Sequence, residues 1–165
     1  MDFHDEHTFE APIDEVWAMF RDPQSHLRKF EGMGHRDIEV LESSASDDSF
    51  HLVIRRVVDV DLPGFARRVL KPTNTVTTTD DWHRLPDGSC RGTQQVDTAG
   101  APVRISASTT LTPAGERTTY GVDVHVEVKV PLIGGKLADW AKGMVRDQLD
   151  AEFAAGDAWL AEHRA

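Results

Sequence analysis

The most constraining feature of this sequence is a change of hydrophobic period at Gly134-Gly135. Before it, over residues 122–130, valines alternate with polar residues, which is typical of a strand with one covered face. After it, apolar residues recur every three or four positions to about Leu160, which indicates an amphipathic helix. Such a helix would have about 25 residues and a length of about 37 Å. The pattern therefore predicts a sheet whose apolar face is covered by one long helix.

Most of the chain before that helix has the patterns of strands. Apolar residues of one parity occur over residues 50–60 and 103–111, within a region of strands from about Asp37 to Val130. The segments Pro86-Asp87-Gly88 and Pro113-Ala114-Gly115 predict tight turns, because proline presets φ and glycine accepts a positive φ. The first of them is of the hairpin type. The alternation over residues 122–130, with one apolar and one polar face, indicates that the sheet is antiparallel.

Two short helices are predicted near the amino terminus, after a strand over residues 3–9. Pro12 suits the first turn of the first helix. Asp22 suits the N-cap of the second helix, which has Pro23 at its first position and is expected to end near Phe30. The predicted order is a strand, two short helices, antiparallel strands and one long helix, which is an α+β fold.

Length and charge exclude several classes of protein. The 165 residues predict one domain over residues 1–165, and the 39% of hydrophobic residues suit a globular core. The 18 basic and 28 acidic residues give a net charge of −10 at pH 7. That balance argues against a nucleic-acid partner, which requires clustered lysine and arginine. It argues equally against a constitutive binder of anionic membranes. Stable membrane insertion is not expected, whereas transient membrane contact stays open.

The single cysteine, Cys90, cannot form an intramolecular disulfide, which suits a reducing compartment. No catalytic motif surrounds it, so we expect an unreactive or incidentally exposed thiol. The acidic start, MDFHDEHTFEAP, is unlike a signal peptide, and no run approaches the roughly 18 apolar residues of a membrane helix. We therefore expect a soluble cytoplasmic protein.

Several stretches resemble one superfamily. The segment FEAPIDEVW at residues 9–17 is similar to the start of START-like helix-grip proteins, the SRPBCC group of Bet v 1 relatives, polyketide cyclases and coenzyme Q-binding proteins. Trp82, the stretch VPLIGGKL at residues 130–137 and the late Trp159-Leu160 resemble one family in that group that has only a domain-of-unknown-function label. The order of elements is similar over essentially the whole chain.

The resemblance implies a fold and a class of ligand. It implies a curved antiparallel sheet of about seven strands wrapped around the long helix, with a hydrophobic cavity between them. Members usually bind lipids, sterols, polyketides or other apolar molecules, and a minority catalyse cyclisation, dehydration or hydrolysis there. A shared fold does not select the ligand.

Arg56 is the first candidate site residue because it lies on the apolar face of its predicted strand, between Ile54 and Val58. A buried guanidinium is costly unless it is paired. It could reach solvent or pair with a carboxylate such as Asp80, or it could bind the carboxylate of a ligand, for which arginine has the bidentate geometry.

Five further residues are candidates for the lining of the cavity: Phe65, Trp82, Trp140, Met144 and Gln148. Met and Trp suit irregular apolar surfaces, and a glutamine on the long helix can orient a ligand. The alternative for each is an ordinary place in the core. Phe65, which is followed by Arg67-Arg68, could also gate the cavity, touch a membrane transiently or pack against the core.

Catalytic and metal-binding residues are not indicated by any motif. A G-x-S-x-G elbow and a phosphate-binding loop are missing. His4 and His7 would converge on a metal only in a helix, and in a strand they point to opposite faces, so no metal site is predicted. No cofactor is predicted either. His83, Asp80 or Glu152 could supply an acid/base pair, and the sequence favours none of them.

Three functions follow from these observations. The helix-grip order of elements and the absence of a catalytic motif favour the binding or transport of a small hydrophobic ligand, lipid-like or polyketide-like, in the cavity. The alternatives are a cyclase or dehydratase that acts in the same cavity, and a protein-interaction module, for which a large exposed apolar patch would be expected.

Overall fold

The computed structural model describes residues 1–164, which form seven strands and three helices. In chain order the elements are β1 (Asp2–Phe9), α1 (Ile13–Arg21), α2 (Pro23–Gly32), β2 (Arg36–Ala45), β3 (Ser49–Asp59), β4 (Thr73–Arg84), β5 (Cys90–Thr98), β6 (Val103–Ala114), β7 (Arg117–Val128) and α3 (Gly134–His163).

The strands form one antiparallel sheet in the order β1-β7-β6-β5-β4-β3-β2. Strands β2 to β7 follow one another as neighbours, and β1 pairs with β7, so that Phe3 lies opposite Val124. Helix α3 packs along β7 and β1 and against α1 and α2. This arrangement confirms the predicted α+β helix-grip fold.

The two short helices begin and end close to the predicted positions. Asp22 separates them, and its side chain accepts a hydrogen bond of 3.0 Å from the backbone N–H of Gln24. The second helix continues to Gly32, two residues beyond the predicted end at Phe30. The chain then turns at Gly34, which has a φ of +83° that a residue with a Cβ rarely adopts.

Helix α3 has 30 residues, which is longer than the predicted length of about 25 residues. Its buried positions recur at helical spacing and are Leu137, Ala138, Ala141, Val145, Leu149, Phe153 and Leu160. Among residues 1–164, no helix has a stretch both long enough and apolar enough to cross a bilayer.

The main core contains an aromatic cluster at the end of the molecule where α1 meets the sheet. The Trp82 ring stacks on Phe50 with 6.0 Å between centroids and lies 5.0 Å from the Phe20 ring. Gly92 on the next strand allows this packing, because a Cβ there would lie 2.4 Å from the Trp82 ring. The cluster therefore fills the space beneath α1 with side chains.

A second, smaller core lies at the opposite end of the sheet. The buried residues Leu62, Ala66 and Leu137 form it, and Phe65 and Trp140 pack against it. It joins the segment between β3 and β4 to the start of α3.

Candidate ligand-binding site

Two clefts lie between α3 and the sheet. The first, called the apolar cleft here, encloses about 80 Å³ beside the amino-terminal half of α3. It is lined by Arg56, Val58, Val60, Leu62, Leu70, Lys71, Asn74, Val76, Val96, Thr98, Ala101, Val103, Ile105, Trp140, Ala141, Met144 and Gln148. Its wall is predominantly aliphatic, and the polar groups are few, as in sites for small molecules.

Four of the six residues predicted to contact a ligand line this cleft together. Trp140, Met144 and Gln148 project from successive turns of α3, and Arg56 projects from β3. Their spacing of four residues on the helix places all three on one face. The structure thus brings these side chains together, as a site requires.

The other two predicted residues lie outside both clefts. Trp82 is in the aromatic core. Phe65 is half-buried against the second core, and the Lys136 ammonium lies 4.3 Å from the centre of its ring. Both residues therefore pack against the core, which was the alternative to ligand contact.

Arg56 is buried, with 7% of its surface exposed, and its partners are neutral. Its Nε donates to Nδ1 of His35 at 3.0 Å, and its Nη1 donates to Oγ1 of Thr78 at 2.7 Å. The guanidinium carbon also lies 3.8 Å from the centre of the Phe30 ring, which is a cation–π contact. The suggested ion pair with Asp80 is not formed. Asp80 instead accepts a hydrogen bond of 3.1 Å from Nε2 of Gln94.

Burial governs the ionisation of Arg56 and His35. It lowers the pKa of Arg56 to about 10, and the negative charges of Glu152 and Asp80 partly oppose that change. Burial and the adjacent guanidinium lower the pKa of His35 to about 4, so its Nδ1 is free to accept the hydrogen bond at neutral pH. A positive charge is therefore held at the edge of the apolar cleft without a carboxylate against it.

The second cleft, called the polar cleft here, encloses about 50 Å³ between α2, the sheet and the carboxy-terminal half of α3. It is lined by Phe9, Met19, Phe20, Ser25, His26, Lys29, Asp80, Gln94, Tyr120, Glu152, Phe153, Ala155, Gly156 and Trp159. Titratable groups from four elements meet there among aromatic rings.

The carboxylates of this cleft have different environments. The Nζ of Lys29 lies 3.3 Å from Oε1 of Glu152, and both side chains are partly exposed. Asp80 is buried and has Gln94 as its hydrogen-bond partner. Burial, helped by the charge of Glu152, raises the pKa of Asp80 to about 6 against the opposing effect of Lys29. A carboxyl group of this kind can exchange protons near neutral pH.

Two neutral groups complete the polar cleft. Nε2 of His26 lies 2.8 Å from the carbonyl oxygen of Phe20, to which it donates, and burial lowers its pKa to about 3. Tyr120 is 9% exposed, and burial raises its pKa well above the ordinary value. Among residues 1–164 its hydroxyl has no hydrogen-bond partner, so it remains available to a molecule in the cleft.

The remaining candidates are placed apart from the clefts. His83 is exposed, so of the three suggested acid/base residues the structure brings only Asp80 and Glu152 together. His4 bonds Asp123 on the outer face, whereas the His7 ring stacks on Phe153, which confirms the predicted opposite faces. Cys90 is buried, and burial raises the pKa of its thiol to about 11, which disfavours the reactive thiolate.

Sequence reasoning missed Lys29, His35 and Tyr120. Lys29 and His35 meet their partners from α2 and the following turn, and no local pattern predicts contacts with Glu152 or Arg56 far along the chain. Tyr120 did have a signal, because it shares the inward parity of Val122 on β7.

Comparison with known proteins identifies the family of this chain. A family described as proteins of unknown function, DUF2505, matches residues 5–160. The chain belongs to this family. No curated protein matches the sequence at a significant level.

Solved structures with the same architecture have low sequence identity to this DUF2505 member. A STAR-related lipid transfer protein fragment from Xanthomonas axonopodis is 15% identical, with a TM-score of 0.62 over 97% of this chain and 85% of that chain. Ara h 8.0201 is 13% identical, with a TM-score of 0.60 over 99% of both chains. Norcoclaurine synthase from Thalictrum flavum, in complex with dopamine and hydroxybenzaldehyde, is 14% identical, with a TM-score of 0.56 over 100% of this chain and 88% of that chain. These likenesses show the START-like fold.

Proposed function

We propose that this protein binds a small hydrophobic molecule, lipid-like or polyketide-like, that has an acidic group. The apolar part would lie against the aliphatic wall of the apolar cleft, and the acidic group would contact Arg56. The observation that carries the proposal is a buried guanidinium whose hydrogen-bond partners, His35 and Thr78, are both neutral. A ligand carboxylate would supply the missing opposite charge and a charge-assisted hydrogen bond.

The size of the cleft adds a requirement. Pockets for drug-sized ligands measure roughly 300–1,000 Å³, whereas the apolar cleft encloses about 80 Å³. A ligand longer than a few carbons therefore needs the wall to move. The segment between β3 and β4 is the part of the wall best suited to do so, because it contributes Leu62 and Leu70 to the cleft and contains no helix or strand.

The fold likeness supports the same proposal. One similar structure is described as a lipid transfer protein, and another contains two small aromatic compounds. Neither identifies the ligand here. The proposal for this chain rests on the residues of its own cleft.

The test compares octanoate with octanol, which share a chain and differ in charge. We expect octanoate to bind more tightly to the wild-type protein, as measured by calorimetry or ligand-observed NMR. Arg56→Gln should weaken octanoate binding at least about tenfold, since a hydrogen bond to a charged group contributes roughly 1.5–3 kcal/mol, and should leave octanol binding unchanged.

Arg55→Gln is the matched control, because Arg55 lies on the outer face of the same strand and binds Glu39. It should leave both affinities unchanged. Equal affinity of the wild-type protein for the acid and the alcohol would contradict the role of Arg56. Failure of both to bind would contradict the proposed function.

A second function is favoured by the polar cleft. Asp80, Glu152, Lys29 and Tyr120 line one space, and the pKa of Asp80 is close to neutral. An enzyme of the cyclase or dehydratase type requires such an acid/base group beside its substrate. Asp80 would accept a proton from carbon or oxygen, and Tyr120 would donate a hydrogen bond to the developing oxyanion.

Hydrogen exchange tests this chemistry without knowledge of the full reaction. A panel of small ketones and aldehydes would be incubated with the protein in deuterated water, and deuterium next to the carbonyl would be measured by mass spectrometry. Asp80→Asn should abolish the exchange, and Asp81→Asn, on the outer face beside it, should preserve it. If no compound exchanges faster with the wild-type protein than in buffer, the enzymatic proposal is wrong.

A further inference from the structure

Two segments meet at the mouth of the apolar cleft, namely residues 60–72 after β3 and residues 129–136, which lead into α3 and include its first three residues. They are called the mouth segments here. Leu62 and Ala66 of the first pack against Leu137, directly after the second, and Lys136 lies over the ring of Phe65. The first segment also contributes Leu62, Leu70 and other residues to the wall of the cleft. The outer surface of these segments is therefore continuous with the opening of the proposed ligand site.

Leu132 protrudes from this surface. Its relative exposure is 105%, and it has no place in either hydrophobic core. Its backbone φ of +70° lies in the left-handed region, which is unfavourable for a residue with a branched side chain. Core packing does not account for an apolar side chain held outside the protein at this conformational cost.

The charge of the mouth segments is opposite to that of the molecule. They contain five of the 18 basic residues of the chain and one of its 28 acidic residues, Asp61. The five basic residues are all exposed, and they are Arg67, Arg68, Lys71, Lys129 and Lys136. A protein with a net charge of −10 thus has a cluster of exposed basic residues in the same two segments that contain the exposed Leu132.

We propose that the mouth segments dock reversibly on an anionic lipid bilayer, with Leu132 inserted between headgroups and the five basic side chains against the lipid charges. Clusters of lysine and arginine are attracted to anionic leaflets within a short distance of the surface. One leucine and a small cluster provide weak attachment, and the negative remainder of the protein keeps the rest of its surface away from the bilayer. Docking in this orientation turns the apolar cleft toward the membrane.

A bilayer suits this surface better than an acidic protein does. A folded partner would need a pocket for Leu132 and carboxylates at fixed positions, whereas lipid headgroups rearrange around a protruding side chain and around long flexible basic ones. A protein partner is therefore the alternative that the experiment separates from the proposal.

The experiment measures co-sedimentation of the full chain with vesicles. We expect binding to vesicles of phosphatidylcholine with about 30 mol% phosphatidylglycerol at about 0.1 M salt, and loss of binding at about 0.5 M salt, because screening weakens surface attraction. Vesicles of phosphatidylcholine alone should bind little. The double variant Arg67→Glu with Arg68→Glu should weaken binding to the anionic vesicles at least about tenfold.

The control reverses two basic residues at the opposite end of the sheet, Arg91→Glu with Arg117→Glu, and should leave vesicle binding within about twofold. Leu132→Ser should reduce the binding that persists at intermediate salt. No binding of the wild-type protein to anionic vesicles, or an equal loss in the Arg91 and Arg117 control, would overturn the proposal. Octanoate binding in solution is measured separately, so failure here is distinguishable from failure of the proposed function.

Discussion

The apolar cleft and the polar cleft lie beneath one helix and on one face of one sheet, yet their linings differ sharply. Along α3 the change occurs within one turn, from Gln148 in the apolar cleft to Glu152 in the polar cleft. Along β4 it occurs between Val76 and Asp80, with Thr78 between them. Both elements become polar at the level where α2 contributes Lys29 to the polar cleft, 3.3 Å from Glu152.

The difference separates two kinds of behaviour. The polar cleft contains groups whose protonation changes near or below neutral pH, so its properties should depend on pH. The apolar cleft contains one buried charge, Arg56, that stays positive throughout that range, so its properties should depend on the size and charge of a ligand. Three pairs of substitutions test this contrast.

The largest effect is expected from Asp80→Asn in the polar cleft. The folded-state pKa of Asp80, about 6, is above the ordinary value of 3.8 for an aspartate, so folding favours the protonated form. Its ionisation therefore costs stability as the pH rises from about 4 to 6, and the full cost applies above that window. At pH 8 the variant should be more stable by about 2–3 kcal/mol, since each pKa unit corresponds to 1.36 kcal/mol.

Urea unfolding at pH 4 and pH 8 measures this gain, which should be nearly absent at pH 4. Asp81→Asn is the control, because Asp81 is exposed on the opposite face of β4 and contacts His51. It should not increase stability at pH 8. A gain from Asp80→Asn that is the same at both pH values would show that ionisation of Asp80 is not the cause.

A smaller effect is expected from two glycines of α3. A Cβ at Gly156, beside the polar cleft, would lie 2.7 Å from the buried ring of Phe9, whereas Gly143 has open space around it. Gly156→Ala should lower the free energy of unfolding by about 1–2 kcal/mol, because overpacking outweighs the helix propensity of alanine. Gly143→Ala should raise it by up to about 1 kcal/mol.

Thermal or urea unfolding of the two variants compares their signs directly. The two substitutions are chemically identical, so a difference reports the packing beneath each half of the helix. Stabilisation by both would mean that Phe9 moves aside at low cost, and that the polar end is packed no more tightly than the apolar end.

The smallest effect is expected on ligand affinity. Val96→Phe places a larger side chain in the apolar cleft and should weaken octanoate binding about tenfold by filling space. Ala155→Leu adds comparable volume in the polar cleft and should leave that affinity unchanged. Calorimetry measures both, and equal weakening by the two variants would place the ligand outside the apolar cleft.

Much of the fold was predictable because its elements have strong local patterns. The alternation over residues 122–130 lies in β7 as far as its end at Val128, and the helical period after Gly134-Gly135 corresponds to α3. The length of α3 was underestimated because its last turns are only partly apolar and end without a glycine or proline signal.

The candidate site was predictable only in part. Trp140, Met144 and Gln148 recur at helical spacing, so their common face followed from the pattern. Trp82 and Asp80 are two residues apart on β4, so both point to the inner face of the sheet. The alternation does not show how far along the sheet α1 extends. In the structure, aromatic residues of α1 cover Trp82. Aromatic packing, rather than a cleft, consequently surrounds that indole.

The sequence alone determined that this chain forms an antiparallel sheet covered by a long helix. The two-residue period of the strands and the helical period of α3 are both local, and each produces an apolar face that must be covered. The tertiary structure decided which charges meet. Arg56 faces His35 and Thr78 rather than Asp80, and Glu152 faces Lys29, because the curvature of the sheet and the position of α2 set distances that no spacing in the sequence encodes. Those distances leave a buried positive charge beside an apolar cleft, on which the proposed function depends.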